Sequence, residues 1–207
     1  MEGMALATRP ATIALVGIDG AGKTTQAARL TDWLADLGHP VRYRLAANGR
    51  RVMGNTARRL GRADSVALLG PRLTIRAETW LRHANLAAVG NGDILVADRY
   101  DVCQYARTRM VCPDLEPWVR RRLGRLQRPD ITMYFAVPPE VAQHRVQTRG
   151  IDDEPLDRLR ALDRAYRSLP EAAGFTYVDA SARVDAVSDI VREAVRDAVP
   201  HLFVAAE

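Results

Sequence analysis

Lysine is almost absent from this chain: of its 30 basic residues only Lys23 is a lysine, and the other 29 are arginines. A compositional drift toward arginine accounts for the 29 but not for the one that escaped it. An ammonium is a compact point charge on a thin stem, whereas a guanidinium is a broad planar fork, so a narrow phosphate-lined space does not exchange one for the other. Cysteine is scarce too. Cys103 and Cys112 are too few for a disulfide framework and lack metal-ligand spacing or a histidine partner, so they read as free thiols without a chemical role. Aromatic residues are 6 % of the sequence and do not interleave with the arginines, which argues against a stacking platform for single-stranded nucleic acid. No apolar run reaches the roughly 18 residues of a membrane span, and residues 1–10 lack the apolar core of a secretory signal, so a cytoplasmic protein with no membrane contact is expected.

What is present is ordinary for a folded domain. The 207 residues are 47 % hydrophobic and 27 % charged, enough for a single globular domain over residues 1–207 with its own core. A net charge of +5 suits an anionic ligand and is modest for a nucleic-acid binder. Short β-rich runs at Thr12–Val16, Val41–Leu45, Ile94–Ala97, Ile131–Val137 and Phe175–Val178 alternate with helical segments. The helices are expected at about residues 23–37, within 48–62 after a loop, at 71–89 with Pro71 in the first turn and Gly90-Asn91-Gly92 closing it, through Trp118–Leu126, within 140–172, and at 184–199. This alternation predicts an α/β fold: a doubly wound, five-stranded parallel sheet with helices on both faces and ligands gathered outside the carboxyl ends of the strands.

Gly17-Ile18-Asp19-Gly20-Ala21-Gly22-Lys23-Thr24 fits G-x-x-x-x-G-K-[ST] in full, between an expected strand and an expected helix. Its glycines let backbone N–H groups turn toward a β-phosphate, and the helix N-terminus adds positive potential. Lys23 would bridge β- and γ-oxygens, and Thr24 would offer its hydroxyl to Mg²⁺. Asp98 closes the third strand, where a carboxylate reaches the same ion. With Lys23 the only lysine, no Asn-Lys-x-Asp guanine reader exists. Arg99 follows Asp98 where motor-type ATPases usually carry a glutamate, so the chain looks built to pass a phosphoryl group to a bound anionic acceptor.

Three stretches resemble the thymidylate kinase family in order along the chain: residues 17–25, ending in Thr25; Asp98-Arg99-Tyr100; and Arg128-Pro129-Asp130 on through Ala142. The resemblance implies a P-loop NTPase fold, ATP with Mg²⁺ as donor, a nucleoside monophosphate as acceptor, a mobile lid near residues 149–157 and commonly a homodimer. It also implies that Asp19 contacts the acceptor sugar and that Tyr100 crowds its 2′ position. Arg99 would then sit between acceptor and donor phosphates, with Arg76 and Arg58 as further acceptor-side arginines. Arg145 and Arg149, spaced i, i+4, are expected to converge on phosphates, with Arg158 a further candidate.

This chain departs from the family around the base. Arg44-Leu45-Ala46-Ala47-Asn48-Gly49-Arg50 stands where the family carries Arg-Glu-Pro-Gly-Gly-Thr, Arg72 replaces the aromatic residue on which thymine stacks, and Cys103-Gln104-Tyr105-Ala106-Arg107-Thr108 lacks the base-reading glutamine. Arg72 could itself stack on a base through its guanidinium plane. The sequence thus points to a kinase acting on a (deoxy)pyrimidine 5′-monophosphate, with dTMP the leading candidate. A kinase of a nucleoside or modified nucleotide, and a non-catalytic nucleotide- or nucleic-acid-binding module, are the alternatives.

Overall fold

The computed structural model describes residues 10–46, 65–87, 93–150 and 154–203. Five parallel strands form one sheet in the order β2-β3-β1-β4-β5, with β1 at Thr12–Val16, β2 at Val41–Leu45, β3 at Ile94–Asp98, β4 at Ile131–Ala136 and β5 at Thr176–Asp179. Every residue of β1 and β3 is buried, as expected of central strands covered on both sides. Edge strand β2 is mostly exposed. The expected parallel α/β sheet is therefore present.

Seven α-helices lie among the described residues: α1 (Lys23–Asp36), α2 (Ser65–Ala87), α3 (Asp101–Val111), α4 (Glu116–Leu123), α5 (Pro139–Arg149), α6 (Leu156–Arg167) and α7 (Val184–Ala198). Helix α1 packs on α7 and against β2 and β3, while α3 packs on α2, α4 and α6. Two features of this framework position the site. Leu15 of β1 pairs in register with Asp98 of β3, so the loop after β1 and the residues after β3 emerge side by side. Within α2, Gly70 is non-helical at φ 73, ψ 163, and the regular helix starts at Pro71, whose missing N–H costs nothing at a first turn.

The helix expected through residues 118–126 is α4, which ends at Leu123, and a further helix, α3, precedes it across a 3-10 turn at Pro113–Leu115. Helix α3 escaped the sequence reading because it is covered nearly all round. Val102 to Thr108 are buried without a break, Gln104, Arg107 and Thr108 among them, so no apolar stripe marks a face. The closing signal expected at residues 90–92 lies outside the described residues, as does the helix expected within 48–62.

Among the described residues no helix is long and apolar enough to cross a membrane. The core is instead the sheet interior, with Leu15, Val96, Met133 and Phe135 fully buried. Leu15→Ala should lower unfolding free energy by about 3 kcal/mol through lost burial and a residual cavity. Urea denaturation should show an earlier midpoint with an unchanged slope.

Candidate active site

The loop from Gly17 to Gly22 leaves β1 and delivers Lys23 to the start of α1. It fits against its neighbours so closely that a Cβ at Gly20 would lie 2.2 Å from the Ala142 carbonyl oxygen of α5. Gly22 caps α1 in the left-handed region, φ 86, where a side chain would be strained. Ala21 is buried and Thr25 is exposed on the first turn of α1.

Lys23 is 4 % exposed, and its Nζ donates to the Ile18 carbonyl at 2.6 Å inside the loop. Burial, then the nearby Arg99 guanidinium, lowers its ammonium to about 8, although Asp19 and Asp98 pull the other way. A cation in that condition is short of anionic partners. The Thr24 hydroxyl donates to Asp98 Oδ2 at 2.5 Å, and the Tyr43 hydroxyl of β2 donates to the same oxygen at 3.3 Å. Burial, with Asp98 alongside, raises Tyr43 to about 12 and keeps it a neutral donor. Asp98 Oδ1 is buried without a hydrogen-bond partner among the described residues. A buried carboxylate oxygen left open beside a threonine hydroxyl fits the chemistry of a hard divalent cation completed by phosphate and water oxygens. No cluster of three or more His, Cys, Asp or Glu side chains gathers among the described residues to hold a metal by itself.

Arg99 adopts φ 77, the only positive φ outside glycine among the described residues. That conformation is disfavoured for a residue with a Cβ. It is held from both ends: the Arg99 N–H donates to the Leu15 carbonyl at 2.9 Å, and the guanidinium pairs with the Asp19 carboxylate. Burial works against the Arg99 charge, but Asp19 outweighs it and keeps the group above its ordinary value. The loop after β1 and the turn after β3 are thus tied together across the strand ends.

Beyond this tie a cleft opens, lined by Asp19, Arg82, Arg99, Cys103, Arg107, Met110, Glu154, Arg158, Leu159, Leu162 and Tyr166. Arg82, on α2, is 2 % exposed. Its Nη1 donates to the Tyr100 carbonyl at 3.2 Å, while its Nε has no hydrogen-bond partner among the described residues. Burial lowers its pKa. Four arginines against two carboxylates make this cleft a place for an anion.

The residues expected from sequence are partly gathered here. Asp19, Arg99 and Arg158 line the cleft, with Lys23, Thr24 and Asp98 beside it at the strand ends. Arg158 also lies 3.4 Å from Glu154. Arg145 lies against the end of β5, donating to the Ala180 carbonyl at 2.9 Å and to Ser181 at 3.4 Å, while Arg149 is exposed at the end of α5. Tyr100 is buried, and its hydroxyl donates to the Gln127 carbonyl at 2.7 Å; only its carbonyl faces Arg82. Two acceptor-side expectations fall elsewhere. Arg72 pairs with Asp114 on the surface, and the exposed Arg76 lies 5.8 Å from the Trp118 ring. Arg58 is outside the described residues.

Sequence reading missed Arg82, Cys103, Arg107 and Tyr166 in the cleft. A signal existed: Thr74, Glu78 and Arg82 recur every four residues on α2, as Gln104 and Thr108 do on α3, which reads as a solvated face. All five are buried.

Residues 15–191 match the sequence model of the family described as thymidylate kinase. Among curated relatives, a thymidylate kinase of Neisseria meningitidis is 32 % identical across 89 % of this chain and 96 % of its own length. A probable thymidylate kinase of Archaeoglobus fulgidus is 31 % identical across 88 % of this chain and 93 % of its own length. A thymidylate kinase of Bordetella petrii is 35 % identical across 68 % of this chain and 70 % of its own.

The depressed pKa of Lys23 makes the loop a cost to folding. Between pH 8 and 10.5 the unfolded lysine keeps a proton that the folded one has shed, so this residue's contribution rises with pH and is most unfavourable below 8. Lys23→Met should therefore stabilise the nucleotide-free protein by up to about 3 kcal/mol at pH 7. That gain should shrink as pH approaches 10.5, as urea unfolding of both proteins at pH 7 and pH 10 would reveal.

Proposed function

The chain belongs to the thymidylate kinase family and is a phosphotransferase, and on that premise we propose that it moves the γ-phosphoryl group of ATP to a deoxypyrimidine 5′-monophosphate, dTMP first. The observation that carries this reading is the pairing of two cation sites at neighbouring strand ends. Lys23 follows β1, Arg99 follows β3, and the Asp19–Arg99 ion pair joins them.

The donor's β-phosphate lies against the N–H groups of the loop, with Lys23 on its β- and γ-oxygens. Thr24 and the open Asp98 oxygen would hold Mg²⁺, which would offset the charge of the phosphate oxygens. The acceptor phosphate sits in the cleft on Arg99, Arg82 and Arg158, and Asp19 accepts a hydrogen bond from the sugar hydroxyl. One acceptor oxygen attacks the γ-phosphorus, forming the new P–O bond as the bond to the β–γ bridging oxygen breaks, and ADP departs with that electron pair. The attacking oxygen is already ionised, so no general base is needed. Positioning and electrostatic stabilisation supply the rate, and Arg99 shields the repulsion between the two anions as they close.

The segment near residues 149–157 acts as a lid. Gly150 ends α5 in the left-handed conformation, φ 65, and Glu154 and Arg158 already border the cleft. Closure excludes water and so suppresses ATP hydrolysis. Four cleft arginines favour a phosphorylated acceptor over a free nucleoside. A homodimer belongs to the same reading. Leu73 and Trp80 lie exposed toward one side of α2, an apolar surface suited to a second copy. A single 22.9 kDa species in sedimentation equilibrium would remove that part.

Incubation with labelled ATP and a panel of nucleosides and monophosphates should give labelled dTDP from dTMP and no product from thymidine; product from the nucleoside alone would reverse the assignment. Lys23→Ala and Arg99→Ala should each lower kcat by about 10³-fold with an unchanged circular dichroism spectrum. Arg82→Ala should raise the acceptor KM by at least about 10-fold while leaving the ATP KM in place, since a charged hydrogen bond is worth roughly 1.5–3 kcal/mol.

A further inference from the structure

We propose that Cys103 is a site of oxidative modification, at which a hydroperoxide entering the cleft converts the thiol to a sulfenic acid and closes the cleft to the acceptor. The effect on turnover rests on the phosphoryl-transfer reading above; the modification itself does not. The chain has two cysteines. Both are free and buried to the same extent, Cys103 at 5 % exposed and Cys112 at 6 %. Their surroundings differ: Cys103 stands in the first turn of α3 and lines the cleft, whereas Cys112 caps the far end of that helix, away from the cleft lining.

The start of α3 fixes the sulfur. The Tyr100 N–H donates to Cys103 Sγ at 3.5 Å, and the Tyr100 carbonyl accepts from the Cys103 N–H at 3.3 Å and from Arg82 Nη1 at 3.2 Å. One carbonyl thus joins the Arg82 guanidinium to the turn that holds the thiol. The Tyr166 hydroxyl, which burial keeps neutral, also hydrogen-bonds with the sulfur. Lys23, Arg82 and Arg99 all lie near enough to feel a charge on Cys103. Each carboxylate lining the cleft is engaged by an arginine, Asp19 by Arg99 and Glu154 by Arg158. The nucleophile of thiol chemistry is the thiolate, and reactive cysteines are those set at helix N-termini among cations. Cys112 sits at the carboxyl end of the same helix, where the helix dipole opposes negative charge.

Arg82 also serves the reaction. Its side chain is 2 % exposed, lines the cleft, and carries an Nε with no hydrogen-bond partner among the described residues. A buried N–H donor left open beside a thiol is satisfied by an oxygen that carries negative charge. The acceptor phosphate brings such an oxygen, and in its absence a peroxide does. The Cys103 sulfur attacks one peroxide oxygen, and the S–O bond forms as the O–O bond breaks. The electron pair leaves on the second oxygen, for which Arg82 Nε–H is available as a donor, and that oxygen takes up the proton lost by the thiol to become water. Sulfur is oxidised by two electrons and the peroxide is reduced by the same two. Cys112 lies about 13 Å further along α3 at 1.5 Å per residue, beyond the reach of a disulfide. The sulfenic acid therefore stays in the cleft, unresolved by the chain's second thiol.

Exposure of the reduced full-length protein to hydrogen peroxide with dimedone, which traps sulfenic acids, followed by peptide mass mapping, supplies the test. Cys103 should be labelled at least about 10-fold faster than Cys112. Saturating dTMP should slow Cys103 by about 10-fold or more and leave Cys112 unchanged. In the Arg82→Gln variant the Cys103 rate should fall by about 10-fold, with the Cys112 rate reporting that the fold is kept. Without dimedone, peroxide should remove kinase activity from the wild type and dithiothreitol should restore it, whereas Cys103→Ala should keep through peroxide whatever activity it has before treatment. Equal labelling of the two cysteines, an unaltered Cys103 rate in folded Arg82→Gln, or equal peroxide inactivation of Cys103→Ala would overturn the assignment. If dTMP gave no protection while Cys103 still outpaced Cys112, the modification site would stand and the acceptor reading of the cleft would fall instead.

Discussion

Like charges must be brought together in this molecule before any anion arrives to separate them. Arg99 sits close enough to Lys23 to disfavour its charge, and Lys23 is withdrawn from bulk water. The structure answers with carboxylates set between and beside them. Asp19 pairs with Arg99, and Asp98 lies near Lys23 while binding the Thr24 and Tyr43 hydroxyls. The balance is left incomplete: Lys23 is held below its ordinary value, and Asp98 Oδ1 and Arg82 Nε have no hydrogen-bond partner among the described residues.

The backbone carries part of that arrangement. Arg99 holds a left-handed conformation because its N–H reaches across to Leu15 and its side chain reaches Asp19. Strain of this kind persists where surrounding contacts over-determine it. The close approach of Gly20 to Ala142 does the same for the loop and ties it to α5. The anion-binding end of the site is therefore rigid by construction, while its other wall is supplied by α6, anchored to β4 through the Tyr134 hydroxyl on Asp163 at 2.5 Å.

The buried polar stripe between α2 and α3 explains why part of the site was hidden. Thr74, Glu78, Arg82, Gln104, Arg107 and Thr108 are all nearly inaccessible, yet in sequence they resemble the outer face of an amphipathic helix. Polar groups in such positions normally mark solvent. Only when the two helices are packed does it emerge that their polar sides face each other and the cleft. Helix α3 disappeared from the sequence reading for the same reason: its apolar and polar residues are buried together, so no period survives. Arg72 and Arg76 are both carried to the surface by the turns of α2, Arg72 onto Asp114 and Arg76 toward Trp118.

Contiguous chemistry was readable from the amino acids alone. The phosphate loop, its lysine, the strand-ending Asp98 and the adjoining Arg99 are set by short-range geometry, because a tight glycine turn between strand and helix and a residue at a strand's carboxyl end mean the same thing wherever the rest of the chain goes. The alternation of apolar runs and helical segments likewise implied the parallel sheet. Which of 29 arginines line the cleft was a matter for the tertiary structure. Every guanidinium is chemically alike in sequence; what distinguishes Arg82 and Arg107 is burial and partner, and both follow from the packing of α2 on α3.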